Sequence, residues 1–354
     1  MRFIHTADIH LGMVPDAGQP WSEARRNEIM DAFRYIIMTC RDQKADLLLI
    51  AGDLFHKPPL LRELKEADAL FASLEHTRVV IVAGNHDYMG PGSRYAEYSF
   101  KSPVVLLGPG RPQSVYFKEL NTRVYGFSYE QRNIKEDRIN RISPMNSGEI
   151  HILLAHGGEP DYCPVNWEQL KQGGFDYVAL GHIHKPQKIT GRIIYPGSPE
   201  PLDKNETGAH GFTAGEIEKD GTVSRIRTRF VPCAARQYIA LDVEVGPEMT
   251  NMELEDRIGS MQEAAGRNHI YKIRLTGCRS DDMVPDIRRL KRLGNVIEVK
   301  DETIPDYDFE YLYRENKDNI IGLYIDRIRR AGYSDEIADK ALYYGIGALL
   351  HKGP

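Results

Sequence analysis

Apolar and polar positions follow two alternating regimes along the chain. Short, mostly apolar runs recur at residues 2–7 (RFIHTA), 47–50 (LLLI, unbroken), 79–83 (VVIVA), 150–155 (IHILLA) and 177–180 (YVAL). Runs this short, closed by glycine or a polar residue, suit strands buried on both faces of a parallel sheet. Between the first three lie stretches with helical spacing. Residues 21–41 carry Ile29, Phe33, Ile36 and Ile37, and residues 60–74 carry Leu64, Ala67, Leu70, Phe71 and Leu74. The β-α-β-α-β order predicts a parallel sheet with right-handed crossovers. Residues 103–127 break at Gly and Pro into short pieces, which predicts a shift to antiparallel strands. Residues 193–201 and 211–230 read as strand and turn pieces completing a second sheet.

Near Val231-Pro232 the pattern restarts. A strand over 237–245, a helix over 251–265, a strand over 270–275, a helix over 282–293 and a strand over 296–299 predict a small separate α/β domain. The tail offers two further helices, 319–330 and 335–350, parted by Ala331-Gly332. The expected organisation is therefore three parts, 1–230, 231–304 and 305–354, in an α/β chain with C-terminal helices.

Composition changes this picture little. With 354 residues, 41% of them hydrophobic, the chain can build one large core and a smaller second domain. The net charge of −5 lends DNA binding no support, because a binder with such a total must gather its cations on one face. Cys40, Cys163, Cys233 and Cys278 lie far apart without a CxxC pair. That argues against a disulfide framework or a structural zinc site and fits a reducing compartment. The opening MRFIHTADIH does not read as a signal peptide, and no stretch is apolar enough to span a membrane. A cytoplasmic protein is expected.

The chemistry lies at the strand ends. Each of the five apolar runs is followed by a cluster built from Asp, Asn and His: D8-x-H10, G52-D53, G84-N85-H86-D87, H156-G-G and G181-H182-x-H184. Asp53 falls just past a buried strand, where open α/β sheets place ligands and where a carboxylate needs a positive partner. In extended chain, residues i and i+2 point the same way. Asp8 with His10, and His182 with His184, are thus expected each to aim two ligands at one place. Asp8, His10, Asp53, Asn85, His156, His182 and His184 make seven candidates. If Asp53 bridges, each of two ions receives four contacts, all from nitrogen or oxygen, which suits Mn, Fe or Zn. Two metals about 3.5–4 Å apart can activate a water and clamp the attacked phosphate. Taken singly, each cluster reads as an ordinary turn; together and in this order they read as a metal centre.

The ordered set DxH…GD…GNHD…H…GHxH over residues 1–230 resembles the calcineurin-like metallophosphoesterases. The resemblance implies a two-sheet α/β sandwich. It places one ion on Asp8, His10, Asp53 and His184, and the other on Asp53, Asn85, His156 and His182. His86 matches the family histidine that contacts the scissile phosphate and protonates or stabilises the leaving oxygen. Asp87 either orients His86 or stabilises the turn. Within the superfamily, GDLFH (52–56), the YPGSP turn (195–199) that lines the nuclease cleft, and the following α/β block look like the nuclease subunit of SbcCD, especially YhaO-type members. The GDxVDRG run of phosphoprotein phosphatases is absent.

That likeness implies a Mn-dependent 3′→5′ exonuclease on duplex ends and an endonuclease on single strands, acting in DNA double-strand-break repair. It further implies a nucleoid-associated homodimer, a DNA-capping role for 231–304, and an SMC-like coiled-coil ATPase partner of SbcC or YhaN type. His56 matches a substrate-positioning histidine, or is a plain loop residue. Lys57, Arg62, Arg94 and Lys101 either meet the DNA backbone or are solvated surface. The apolar stripes of the tail (Ile320, Ile321, Tyr324, Ile325, Ile328; Leu342, Tyr343, Ile346, Leu350) either bind the ATPase or pack at home. The shorter tail and the lack of a basic run depart from the family. Two alternatives stay open: a phosphodiesterase or phosphatase on a small nucleotide or lipid-linked phosphate, and a non-catalytic scaffold subunit. Loss of a ligand or of His86 would mark the scaffold, and none is missing.

Overall fold

The computed structural model describes residues 1–145, 148–221 and 223–350. The chain divides into two compact units, Met1–Ile239 and Ala240–Pro354.

In the first unit, β1 (Arg2–Thr6), α1 (Ser22–Asp42), β2 (Leu47–Ala51), α2 (Leu61–Phe71) and β3 (Arg78–Val82) follow the predicted alternation. The three strands are parallel. After the short α3 (Arg94–Glu97), β4 (Val104–Leu106) adds to β3 in parallel, so only the pair β5 (Gln113–Phe117) and β6 (Thr122–Gly126) makes the expected antiparallel shift. The second sheet adds β7 (Ile150–His156), β8 (Tyr177–Gly181), β9 (Gln187–Lys188) and β10 (Ile193–Tyr195) in the order β5-β6-β7-β8-β10-β9, with α4 (Trp167–Gln172) connecting β7 to β8.

The hairpin β11 (Gly211–Asp220) and β12 (Val223–Pro232) corrects one expectation. It extends the first sheet, giving β12-β11-β1-β2-β3-β4, instead of completing the second. β11 runs antiparallel to β1 with Gly215 opposite Phe3, and a Cβ at Gly215 would sit 2.3 Å from the Phe3 ring. The glycine lets the hairpin cover the free edge of β1.

The two sheets stack face to face. In β2, Leu47 and Leu49 point into the layer between the sheets with Phe3, Val80, Ile152 and Leu154. Leu48 and Ile50 point outward beneath Ile29, Phe33 and Ile36 of α1 and Leu64 and Phe71 of α2. The period-2 geometry of a strand thus explains why β2 is apolar at every position. Each such Leu or Ile contributes about 1.5–3 kcal/mol relative to exposure. The sheets close tightly at their carboxyl edges: a Cβ on Gly181 would lie 1.9 Å from the Ala51 carbonyl oxygen and 2.8 Å from Ala7 Cβ. Only glycine fits there, and this approach brings the ligand-bearing strand ends together.

The second unit contains a sheet of β13 (Tyr238–Glu244), β14 (Ile270–Thr276) and β16 (Val296–Asp301), and a two-stranded pair β15 (Cys278–Arg279) and β17 (Ile304–Pro305). α5 (Asn251–Ala265) starts on a Thr250/Glu253 capping box. The helix expected over 282–293 shrinks to α6 (Ile287–Leu290). Pro285 cannot donate within a helix, and Asp286 caps a new start by accepting from the Arg289 N–H at 3.0 Å. α7 (Phe309–Glu315), capped by Asp308, escaped the periodicity analysis. α8 (Ile320–Arg330) and α9 (Asp335–Leu350) bury Ile325, Leu342 and Ile346 around Tyr307, leaving Ile320 and Leu323 exposed. The last four residues of the expected tail, 351–354, lie outside the described residues. Among the described residues, no helix is long and apolar enough to cross a membrane.

Candidate metal centre

All five polar clusters sit just past, or at, the carboxyl ends of β1, β2, β3, β7 and β8. How they converge differs from the extended-chain expectation. Asp8, His10, Asp53 and His182 have left-handed backbone, with φ of 53°, 54°, 50° and 99°. Such residues persist where the surroundings over-determine them. Here the Asp8–Leu11 loop is bonded along the Gly52–Leu54 loop through Asp8 N–H to Gly52 O (3.1 Å), His10 N–H to Asp53 O (3.0 Å) and Leu11 N–H to Leu54 O (2.9 Å). Tight turns, not strand pleat, therefore aim Asp8 and His10. His182 and His184 do not share one target: His182 faces Asn85 and His156, while His184 faces Asp8 and His10.

Asp53 occupies the middle. Its Oδ1 accepts the His86 backbone N–H at 2.9 Å. Its Oδ2 lies 3.7 Å from His10 Nε2 and 3.5 Å from His156 Nε2. His156 Nδ1–H donates to the Ala51 carbonyl at 2.9 Å, which leaves the Nε2 lone pair 2.8 Å from Asn85 Oδ1. His182 Nδ1 lies 3.2 Å from that same oxygen. On the other side, Asp8, His10 and His184 offer ligand atoms within 4.8 Å of one another, and buried His10 Nε2 has no hydrogen-bond partner among the described residues. The seven candidates thus form two overlapping groups about Asp53, with Asp8 also within reach of the second, its Oδ1 3.9 Å from His156 Nδ1.

Electrostatics fit the same reading. Burial pushes the Asp8 carboxyl up to about 8 and Asp53 up to about 6, so both lack positive charge. Burial pulls His156 down to about 3, His182 to about 4 and His10 well below the ordinary histidine value. Neutral imidazoles keep a lone pair for a cation. His184 is the exception: burial opposes its protonation, yet the hydrogen bond to Glu206 and the Asp8 charge raise it to about 9. Orphaned His10 Nε2, facing lone pairs at Asn85 and His156, and buried carboxylates together form a donor set suited to divalent cations.

Beside this centre lie two further histidines, His86 and His56. His86, half-buried, packs edge-on against His10 at 4.7 Å between centroids and stacks on His56 at 5.3 Å. The His56 carbonyl accepts from His86 Nδ1–H at 3.2 Å. Asp87 is buried, and its carboxylate accepts from the backbone N–H of Gly84 (2.7 Å) and of Phe55 (3.2 Å). Those bonds brace the two loops against each other; the His86 ring itself is held by His56. Lys57, Arg62, Arg94 and Lys101 are all exposed. Arg62 lines a cleft with Arg26 and Arg34, but Glu23, Asp31, Glu63 and Glu66 line it too, so its charges are mixed and it is not a cationic track. Lys101 is tied through its backbone to Asp68.

The YPGSP turn is placed differently from the expectation. Residues 195–199 are buried and do not line an open cleft. Tyr195 Oη donates to Gly157 O at 2.8 Å, and Ser198 N–H donates to His184 O at 2.9 Å, so the turn underpins the HGG and GHIH loops. Two carboxylates escaped the sequence reading. Glu206 Oε1 accepts from His184 Nδ1 at 2.7 Å, and Glu159 Oε2 lies 3.1 Å from His182 Nε2. Glu206 follows its histidine by 22 residues, and no spacing rule points to it.

The calcineurin-like phosphoesterase profile matches residues 1–186, more than half of the chain. The uncharacterized metallophosphoesterase YhaO of Bacillus subtilis is 30% identical over 233 residues, 60% of this chain. The chain spans only 56% of that relative's length. The DNA double-strand break repair protein Mre11 of Methanopyrus kandleri is 28% identical over 89% of this chain and 76% of its own. The Mre11 of Methanococcus maripaludis is 23% identical over 97% of this chain and 98% of its own. A crystal structure of a dimetal phosphatase from Danio rerio overlays 64% of this chain and 98% of its own at 13% identity, with a TM-score of 0.35, too low to add weight. On the profile match, the chain belongs to the calcineurin-like phosphoesterases, metal-dependent hydrolases of phosphoester bonds.

Proposed function

We propose that the chain is a DNA phosphodiesterase with a two-ion centre, acting in double-strand-break repair as a 3′→5′ exonuclease on duplex ends and an endonuclease on single strands. The observation that carries this reading is Asp53 Oδ2, poised between His10 Nε2 and His156 Nε2 at 3.7 and 3.5 Å. Asp8, His10, Asp53 and His184 would hold one ion, and Asp53, Asn85, His156 and His182 the other. Mn suits these donors, as do Fe and Zn. Bound ions supply Lewis acidity and a nucleophile at neutral pH.

The chain's own residues do the rest. His56 O fixes the proton on His86 Nδ1, so His86 Nε2 is the atom that meets the scissile phosphate and carries a proton to the leaving oxygen. His56 stacks behind His86 and holds that ring in place. Lys57, next to His56, is the first candidate to meet the DNA backbone, followed by Arg62, Arg94 and Lys101. The choice of DNA rests on relatives named as DNA double-strand break repair proteins, whose alignments cover 89% and 97% of this chain. Residues 231–304 then cap the DNA, the chain works as a homodimer, and an SMC-like coiled-coil ATPase binds the tail where Ile320 and Leu323 are exposed.

End-labelled linear duplex DNA with Mn2+ tests this, with a chelator and His86→Ala as controls and bis(p-nitrophenyl) phosphate run in parallel. Duplex loss that both controls abolish is expected, and the label reports polarity. Hydrolysis of the small diester with DNA left intact, even after a coiled-coil ATPase is added, would replace this reading with a small-phosphodiester hydrolase.

A further inference from the structure

Each imidazole of the GHIH loop meets a carboxylate on its outer nitrogen, but the two contacts are unequal. Glu159, on His182 Nε2, has a side chain 54% exposed, where water competes. Glu206, on His184 Nδ1, is 20% exposed and fixed at both oxygens: Oε1 accepts from His184 at 2.7 Å and Oε2 from the Leu202 N–H at 2.7 Å. Its own N–H donates to Asp203 O at 2.9 Å, which closes the turn that carries it. The same stretch of chain grips the His184 backbone, because Ser198 N–H donates to His184 O at 2.9 Å and Ser198 Oγ bonds buried His210 Nδ1 at 3.0 Å. Residues 195–206 therefore hold His184 at both carbonyl and ring.

We propose that Glu206 is a positioning residue for the ion nearer His10: it keeps the His184 proton on Nδ1 and turns the Nε2 lone pair toward Asp8 and His10. An imidazole that yields its second proton to an arriving cation keeps one N–H and one lone pair, so the nitrogen bonded to a carboxylate decides which atom can serve a metal. Without Glu206 the ring is free to rotate and to exchange tautomers. Outer-shell partners of this kind change metal affinity by about 10- to 100-fold. The inference rests on the two-ion reading above. It also gives the buried YPGSP turn a task, since that turn starts the segment that presents Glu206.

The test is a titration of chelator-stripped protein with Mn2+ alone, followed by calorimetry and by the electron paramagnetic resonance of free Mn2+. Wild type is expected to take two ions. Glu206→Ala should loosen one of them about 10- to 100-fold and leave the other unchanged. Glu206→Gln, whose amide oxygen still accepts from Nδ1, should fall between, and Glu159→Ala should have the smaller effect. A merely structural role for Glu206 would lower the apo unfolding midpoint and weaken both ions together; that result, or two ions bound with unchanged affinity, overturns the inference alone. Fewer than two ions in wild type overturns the two-ion reading and this inference with it.

Discussion

Asp53→Asn should make the metal-free protein more stable while abolishing its metal binding. Asp53 Oδ1 is engaged by the His86 N–H, so an asparagine keeps its carbonyl there and places its NH2 where Oδ2 now lies. That NH2 would face His10 Nε2 and His156 Nε2, two nitrogens with lone pairs, at 3.7 and 3.5 Å. Burial raises the Asp53 carboxyl from 3.8 to about 6, which corresponds to about 3 kcal/mol. The sign follows from linkage: a carboxyl raised in the folded state stabilises fully below its unfolded value, and that contribution is lost as pH rises through 6. Above that pH wild type bears the whole cost of the buried charge and the asparagine bears none. Removing this charge also relieves Asp8, which the Asp53 charge helps to raise. Calorimetric scans of chelator-stripped protein should show the variant melting higher at pH 8 by up to about 6–12 °C, at about 2–4 °C per kcal/mol. The gain should be about half as large at pH 5. A Mn2+ titration of the same sample should show both sites lost. A lower apo midpoint at pH 8, or two ions retained, would refute the placement of Asp53 between the two groups.

Three further changes probe different layers. In Gly84→Ala the new Cβ would fall 2.2 Å from Asp53 Oδ1 and 2.8 Å from His156 Cε1, so this methyl should displace the shared ligand and cost Mn2+ binding; two ions bound at wild-type affinity would contradict the geometry. Arg25 is fully buried and bonds Glu200 and Glu28 at 2.8 Å each; Arg25→Met leaves Glu200 buried and uncompensated and should cost about 3–5 kcal/mol in urea unfolding, whereas a loss below 1 kcal/mol would mean that water reaches Glu200. Ile320 and Leu323 are 67% and 63% exposed, so changing both to Glu should leave the unfolding midpoint unchanged while preventing capture by a coiled-coil ATPase; undiminished capture would remove α8 from that interface.

The fold was legible where burial alone sets the pattern. β2 is apolar at every position because both its faces are covered, and its closing Gly52-Asp53 marks the edge where the sheets meet. Legibility failed where a single backbone constraint decides: Pro285 cut the helix expected over 282–293, and Gly215 let β11 lie against Phe3 on the first sheet. The site shows the same division. Which residues converge could be read from strand-end chemistry, but how they converge could not, because none of Asp8, His10, Asp53 and His182 is a glycine, yet all are left-handed. At about 1–2 kcal/mol each, these four turns cost about as much as a small domain's whole net stability. The loop hydrogen bonds from Asp8, His10 and Leu11 to the Gly52–Leu54 stretch offset that cost before any ion arrives. Strain at the ligands and charge buried at Asp8 and Asp53 are then two forms of one condition: the protein holds its donors in a geometry that it would relax if function did not require it. This is why removing the central carboxylate is expected to raise stability and end metal binding in the same molecule.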